Sequence, residues 1–534
     1  MTMLSHFPLA KPRASQVQVL QAIEKAYADG FQNVLLEAPV GSGKSAIAIA
    51  VAKSLGDSHV LTPRKALQDQ YVEDFTDQHL ALMKGRSAYP CTFDEPDEVA
   101  YNKAIRLIQQ GRFIPLSTDK TCGQGPCSSS SYGKVVYEAC TKSGDKPCPY
   151  QVAVTKACSS DTVVHNLHSF IYQAYLAGKF DQRSSFILDE CHEAEDIVRE
   201  FATRKFTIPQ VVEPGDWTQR LTHMYMWADY LETFLAIVQA RLSYDKFGVS
   251  NVDKYKAGVQ SLRDIPDDGE GGYVPHLEVD ERNDCTRVSF IPIKVGPVSN
   301  SLLYSFGDKR LLMSGTIYSK SVFSGMNGLA EEDTCFIRTS TSFSQANRPI
   351  YLKKDYTLDL SHKMWDQNFG RMIDNIRKVL GVFHDVKGLI HVPSYMAMDQ
   401  LALALRDTGR VHTHTREDVS QRLTAFYSSQ GNGVFLSPVC QQGVDFKYDR
   451  ARFQIILRVP YLNTLDPFVA HQVKNNFSWY NMKALVTFGQ QIGRVVRAED
   501  DFGATVLMDE RFNGFIQKNS RILPKWVTDS VIYK

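Results

Sequence analysis

Apolar residues recur at helical spacing through Val17, Leu20, Ile23 and Tyr27 and stop at Gly30, which predicts a helix over residues 14–30. The continuous run Asn33-Val34-Leu35-Leu36-Glu37-Ala38 predicts a short buried strand feeding a Gly-rich turn. Ser45–Leu55, small and aliphatic throughout, predicts a helix, and His59–Thr62 a second strand. Strand, loop, helix, strand is the rhythm of a parallel α/β sheet. Thr162–His165 and Ser185–Asp189 resume it after an interruption. Residues 205–265 are predicted mostly helical, with an amphipathic run over Trp227–Leu242, before an acidic, Gly-rich break at Asp264–Gly272. From about residue 345 a second α/β series begins, with strands expected at Gly388–Val392, Gly433–Ser437, Phe453–Arg458 and Ala504–Met508. The pattern therefore predicts two α/β units, the first carrying two insertions, and no internal repeat.

Composition narrows the class. A chain of 534 residues has room for three to four domains at about 100–200 residues each. With 43% hydrophobic residues it can bury real cores. A net charge of +1 excludes a uniformly basic DNA-coating protein and leaves room for a local basic groove. No apolar run is long enough for a membrane span, and the first residues lack the charged and apolar regions of a secretory signal, so no membrane association is expected. Ten cysteines in an intracellular chain need an explanation other than disulfides. Cys91, Cys122, Cys127, Cys140 and Cys148 crowd one stretch, with Cys158 shortly after, and residues 118–149 are rich in Gly, Ser, Lys and Pro. A segment that cannot form a hydrophobic core yet carries clustered thiols is commonly organised by a metal; the plainer alternative is a surface loop with incidental cysteines.

Ala38-Pro39-Val40-Gly41-Ser42-Gly43-Lys44-Ser45 reads as a P-loop whose first Gly is Ala. In such a turn the backbone N–H groups surround a β-phosphate, Lys44 neutralises the β/γ oxygens and Ser45 reaches Mg²⁺. Phe186-Ile187-Leu188-Asp189-Glu190-Cys191-His192 places two carboxylates at the end of a strand, where α/β sheets bind ligands. Asp189 would hold Mg²⁺ and Glu190 would orient or deprotonate the attacking water; the alternative is an ordinary acidic helix start. In Gln490-Gln491-Ile492-Gly493-Arg494-Val495-Val496-Arg497, Arg494 and Arg497 are expected on one helical face, poised as arginine fingers.

With these motifs in order, the sequence resembles the superfamily 2 helicases, and within them the XPD/DinG family of iron–sulfur helicases. Pro12-Arg13-Ala14-Ser15-Gln16 is similar to the adenine-proximal "R-x-x-Q", and Leu61 to Gln70 to the single-strand contact of motif Ia. Lys84-Gly85-Arg86-Ser87-Ala88-Tyr89-Pro90-Cys91 resembles the opening "KGRxNYxC" of the cluster domain, and Cys148-Pro149-Tyr150 its closing "CPY". Val164–His168 resembles "VxNxH", Leu312–Ile317 resembles "LMSATL", Gln442–Phe446 the end of motif V, and Gln490–Arg497 motif VI. The chain departs from the pattern at Val40, Cys191, Gly315 and Gln442, and none of these changes removes a charge from Lys44, Asp189, Glu190, Arg494 or Arg497.

The resemblance implies an α/β fold of two RecA-like parallel-sheet motor domains, the first interrupted by an iron–sulfur cluster insertion and a mainly helical Arch insertion. The implied layout is motor 1 over 1–85, 158–200 and 301–345, the cluster domain over 86–157, the Arch over 201–300 and motor 2 over 346–534. It implies ATP held by Arg13, Gln16, Gly41, Ser42, Gly43, Lys44, Ser45, Asp189, Gln490 and Gly493, and Mg²⁺ on Ser45 and Asp189. It implies a [4Fe–4S] cluster on Cys91, Cys127, Cys140 and Cys148 with Cys122 spare; zinc is the chemical alternative. The implied activity is ATP-dependent 5′→3′ translocation on single-stranded DNA with unwinding of forked duplexes by a monomer, cytoplasmic or, in a eukaryote, nuclear. RNA stays open as a substrate. The competing expectations are a nucleic-acid-stimulated ATPase that remodels protein–DNA or RNA structures without processive unwinding, and a scaffold with a degenerate ATP site. Trp217, Tyr225, Trp227 and Tyr230 of the Arch are expected to form a core rather than a base-stacking track.

Overall fold

The computed structural model describes residues 2–91, 121, 122, 124, 148–209, 224–240, 252–264, 272–280, 285–340, 343–440, 444 and 446–533. Its strands, in chain order, are β1 (Asn33–Glu37), β2 (Ser58–Thr62), β3 (Ala81–Met83), β4 (Thr162–Asn166), β5 (Arg183–Asp189), β6 (Arg204–Pro209), β7 (Tyr273–Asp280), β8 (Cys285–Pro292), β9 (Gly307–Ser314), β10 (Thr334–Arg338), β11 (Ile350–Tyr351), β12 (Gly388–His391), β13 (Val411–His412), β14 (Val434–Ser437), β15 (Phe453–Ile456), β16 (Ala504–Leu507) and β17 (Val531–Ile532). The helices that matter below are α1 (Ala14–Ala28), α2 (Lys44–Leu55), α3 (Lys65–Asp74), α4 (Pro149–Cys158), α5 (Ala194–Ala202), α6 (Met224–Ala240), α7 (Val252–Arg263), α8 (Pro467–Asn475) and α9 (Phe477–Ile492).

Two seven-stranded parallel sheets form the two α/β units expected as motors, labelled motor 1 and motor 2. The first runs β10-β1-β9-β5-β2-β4-β3 and the second β13-β14-β12-β15-β16-β11-β17. Parallel strands are covered on both faces, so they read as unbroken apolar runs rather than alternating ones. Side chains of one strand still point alternately up and down: Leu35, Leu61 and Leu188 enter one core of motor 1, while Val34, Leu36, Val60 and Ile187 enter the other. Helix α2 is apolar all round because Ala46 to Ala52 are all buried. It starts at Gly43, whose φ of +78° is left-handed and favours glycine. Helix α1 stops at Ala28, just before Gly30 at φ +99°.

The insertion after α5 differs from its mainly helical expectation. It carries an antiparallel sheet in the order β6-β8-β7, whose Phe206, Val288 and Phe290 share an apolar cluster with Trp227 and Leu231 of α6 and Val259 and Leu262 of α7. The alternation of Val288 and Phe290 with polar neighbours is a strand signal that the surrounding helical and acidic segments overrode. Trp227 is 1% exposed and meets Phe290 edge-on at 5.4 Å, so it is a core residue of this insertion. Trp217 lies outside the described residues. The insertion does not stand free: Val274 of β7, with Ile291 and Ile293, shares an apolar cluster with Phe468, Val469, Trp479 and Tyr480 of motor 2. Among the described residues no helix is long and apolar enough to cross a membrane.

Candidate active site

The carboxyl ends of β1, β5 and β9 sit side by side in motor 1, and each delivers one part of the site. Beyond β1 the chain turns through Gly41 and Gly43, both at φ +78°. A side chain on Gly41 would strike Phe343 Cζ at 2.6 Å and the Arg497 carbonyl at 2.9 Å, so the loop closes tightly against motor 2. Helix α1 braces it from below: Arg13 Nη1 donates to Gly41 O at 2.7 Å and Gln16 Nε2 to Ser42 O at 3.3 Å. The same Gln16 accepts the Arg13 backbone N–H at 2.8 Å through Oε1, tying the start of α1 to the loop. Lys44 Nζ folds back over the loop onto Ala38 O at 3.3 Å, holding its charge where phosphate oxygens would lie.

At the end of β5, Asp189 and Glu190 are adjacent carboxylates in different surroundings. Asp189 is 2% exposed, and burial, with the neighbouring Glu190 charge, pushes its carboxyl up to about 6 against the pull of Lys44. Burial alone would raise Glu190 too, but Lys44, His192, Arg64 and Arg494 hold it below the usual glutamate range. Glu190 adopts a left-handed φ of +53°, held by its N–H donating to Asp189 Oδ1 at 2.9 Å. The Tyr71 hydroxyl of α3 accepts from Ser45 and donates to Asp189 Oδ2 at 2.9 Å, so it joins the two residues expected to hold Mg²⁺. Nothing in the sequence pattern marked Tyr71, which is 118 residues from its partner.

Beyond Glu190 a chain of polar contacts crosses to motor 2. His192 Nδ1 is 3.3 Å from Glu190 Oε2 and 2.8 Å from Ser314 Oγ at the end of β9. Burial pushes this imidazole down to about 4, so it is neutral at pH 7. Ser314 Oγ is 3.4 Å from Thr316 Oγ1, which accepts Gln490 Nε2 at 3.0 Å. Gln490 Oε1 accepts Arg494 Nη2 at 2.7 Å, and Arg494 Nη1 donates to Val444 O at 2.8 Å. Burial, reinforced by Arg497, lowers Arg494 to about 9, which still leaves it charged at pH 7.

The expectation that Arg494 and Arg497 share a helical face is corrected here. Helix α9 ends at Ile492 with Gly493 as its cap, and both arginines lie past it. Gly493 faces the P-loop, since a side chain there would reach Val40 Cγ2 at 3.9 Å. Arg494 folds back to donate from Nε to Gln490 O at 2.8 Å, while the Arg497 N–H goes to Asp501 Oδ2 at 3.2 Å. An opening of about 460 Å³ lies between Arg13, Gly41, Phe343 and Arg497, at the seam of the two motors. Gln442, Gly443 and Asp445 lie outside the described residues.

Of the five clustered cysteines, Cys91, Cys122 and Cys148 are described, and Cys127 and Cys140 lie outside the described residues. An antiparallel bridge pairs Pro90 with Thr121, and the Cys122 N–H donates to Tyr89 O at 2.6 Å, so Cys122 lies across from Tyr89 while Cys91 follows on the other side of the bridge. Cys122, expected as the spare thiol, is 1% exposed and hydrogen-bonded to Cys148. That bond lowers Cys148 to about 6, helped by the Gln151 and Tyr150 N–H groups at the start of α4 and by Arg86, and the same contact with burial raises Cys122. Among the described residues no three ligating side chains already form a cage.

Comparison with known proteins places these parts in context. Residues 381–530 match the family model for a helicase C-terminal domain, and residues 9–208 that for the type III restriction enzyme res subunit. A regulator of telomere elongation helicase 1 homolog from Caenorhabditis elegans is 30% identical over 123 residues, covering 19% of this chain and 12% of that one. A Fanconi anemia group J protein homolog from Gallus gallus is 26% identical over 177 residues, 27% of this chain and 14% of that one. The matched stretch is thus a small part of these long relatives. In fold, an XPD helicase superposes with a TM-score of 0.61 at 16% identity over 98% of this chain and 100% of that one. The S. tokodaii Xpd4 structure gives 0.53 at 13% identity, over the same shares.

Proposed function

From a chain with the XPD-type arrangement of two parallel-sheet motors, we propose that this protein is an ATP-driven superfamily 2 DNA helicase, moving 5′→3′ on single-stranded DNA as a monomer and opening forked duplexes inside the cell. The observation that carries this reading is the run of polar contacts from His192 through Ser314, Thr316 and Gln490 to Arg494, which begins 3.3 Å from the Glu190 carboxylate of one motor and ends at the cation of the other.

ATP would lie in the opening between Arg13, Gly41 and Arg497 with its phosphates on the P-loop N–H groups and Lys44. Ser45 and Asp189, an oxygen-only pair, suit Mg²⁺, which when bound screens charge on the phosphate oxygens. Glu190, kept ionised, accepts the proton of the attacking water. Neutral His192 is hydrogen-bonded through Nδ1 to Ser314 and stands 3.3 Å from Glu190 Oε2, which puts the carboxylate beside the contacts that lead on to Thr316 and Gln490. Arg494 meets the developing negative charge from motor 2, and its hold is lost once phosphate leaves, which lets the motors part.

For the cysteine segment we propose Cys91, Cys122 and Cys148 as cluster ligands, with either Cys127 or Cys140 as the fourth. The donor set fits: a thiol pair already in contact, one member made acidic, beside the Arg86 guanidinium. A bound cluster supplies the cross-link that a segment without a hydrophobic core lacks. Cys122→Ser is expected to lose iron, inorganic sulfide and visible absorbance together; full retention of all three returns Cys122 to the role of spare.

The test of function is strand displacement by the purified protein on DNA and RNA duplexes with 5′ or 3′ tails, alongside ATP turnover with single-stranded DNA. Unwinding of 5′-tailed DNA is the expected result. Activity on 3′ tails alone reverses the polarity, and ATP turnover without displacement identifies a remodelling ATPase instead.

A further inference from the structure

Among the described residues, helix α9 makes polar contact with motor 1 at two places, and only its C-terminal end has a role so far. Two turns earlier, Lys483 Nζ lies 2.6 Å from Glu195 Oε2 and 2.6 Å from Asp196 Oδ1. The Trp479 indole N–H donates to Glu195 Oε1 at 2.7 Å. Glu195 and Asp196 sit in the first turn of α5, the helix that begins four residues after Glu190. Trp479, Lys483 and Gln490, spaced by four and seven residues, share one face of α9. About 10 Å of rigid helix therefore joins Lys483 to the Gln490–Arg494 contact.

The pair is out of water: Glu195 is 2% exposed and Lys483 9%. A buried ion pair is a poor source of stability compared with packed apolar groups, so a seam that uses one has gained something else, such as register. Glu195 is also bound by Arg199 from its own helix. The Arg199 guanidinium donates in turn to the Pro292 and Ile293 carbonyls at the end of β8 and lies 4.4 Å from the centre of the Phe468 ring. Gln472 Nε2 of α8 donates to the same Ile293 carbonyl at 3.0 Å. Motor 1, the foot of the inserted sheet and motor 2 thus meet on one charged cluster. A cavity of about 440 Å³, lined by His192, Thr316, Lys483 and Thr487 among others, lies along α9 between the two contacts. Beside the cavity, Tyr318, Val322 and Met326 of motor 1 pack on Met482, Leu485 and Phe488 of α9, so the helix carries both polar contacts on one supported span.

We propose that Glu195 and Lys483 form a latch between the motors that sets where Gln490 and Arg494 stand at the ATP site, with Arg199 tying the foot of the inserted sheet into the same latch. This rests on the reading of the chain as an ATP motor. Lys483 is a positioning residue: its contacts are to Glu195 and Asp196, and it acts on the cleft through α9. When the motors separate, Lys483 and Glu195 must part and regain water; nucleotide binding brings them back. The latch therefore adds to nucleotide affinity and adds little to the chemical step once ATP saturates.

The test compares wild type, Lys483→Met and Lys483→Arg in DNA-stimulated ATP turnover across ATP concentrations. Lys483→Met is expected to raise KM by about tenfold or more, with kcat at saturation within about threefold of wild type. Lys483→Arg keeps the charge and is expected to stay near wild type in both. Trp479→Phe, which removes only the N–H, is expected to shift KM in the same direction by less, and it serves if Lys483→Met does not fold. An unchanged KM in these variants, or a kcat that falls as far as kcat/KM, overturns the latch. The same shift read as affinity for a fluorescent non-hydrolysable ATP analogue keeps the two readings apart, because wild type that binds nucleotide without DNA-stimulated turnover would end the helicase reading and leave the latch still measurable.

Discussion

Glu190→Gln is expected to cut DNA-stimulated ATP turnover by about two to four orders of magnitude, the range typical of a lost general base, while nucleotide affinity stays close to wild type. The substitution keeps the side-chain shape, so the left-handed backbone at φ +53° and the bond from its N–H to Asp189 Oδ1 are undisturbed. What disappears is the negative charge that Lys44, His192, Arg64 and Arg494 converge on. Asp189 does not replace it, because both of its oxygens are engaged, Oδ1 by the Glu190 N–H and Oδ2 by the Tyr71 hydroxyl. Single-turnover hydrolysis together with nucleotide titration separates the two effects. Turnover that remains above about a tenth of wild type would place the base elsewhere.

Arg494→Ala carries the second large expected effect, a fall of about three to five orders of magnitude in kcat, as for other arginine fingers. Arg494 is 4% exposed, still charged at pH 7, and is the charged end of the polar chain that starts at His192 beside Glu190. Part of the loss is structural, since Gln490 Oε1 and Val444 O each lose a donor, at about 1–3 kcal/mol for an unsatisfied buried group. Arg494→Lys distinguishes the contributions: it keeps a cation but cannot reach Gln490 and Val444 together. Recovery of thermal stability in the Lys variant without recovery of kcat assigns the loss to the fork at the reacting phosphate. Recovery of both makes Arg494 a point charge only.

Much of the site could be anticipated from local pattern. The P-loop needs left-handed glycines at Gly41 and Gly43 followed directly by a helix, and those requirements are written in consecutive residues. The same holds for an apolar strand that ends in Asp189-Glu190. The antiparallel strands β6, β7 and β8 were missed because a strand half covered by helices carries only a short alternating signal, here flanked by stronger helical and acidic segments. Arg494 and Arg497 read as helical because three-residue spacing fits a helix, whereas Gly493 ends α9 one residue too soon. The resemblance leaves Cys122 spare, whereas its contact with the Cys148 thiol is made by the fold and has no signature in the chain.

The sequence by itself determined that two parallel α/β units are present and which charges stand at the ends of their strands, since strand burial, loop torsion and phosphate chemistry each impose local rules on neighbouring residues. Only the tertiary structure decided how those charges are joined. Tyr71 with Asp189, His192 with Ser314, and Trp479 with Glu195 are separated by 118, 122 and 284 residues. Pairs so far apart leave no period in a chain; they exist because the packing of sheet against helix brings them within a hydrogen bond's length. Motor identity is a property of segments, and coupling between motors is a property of the surface where those segments meet.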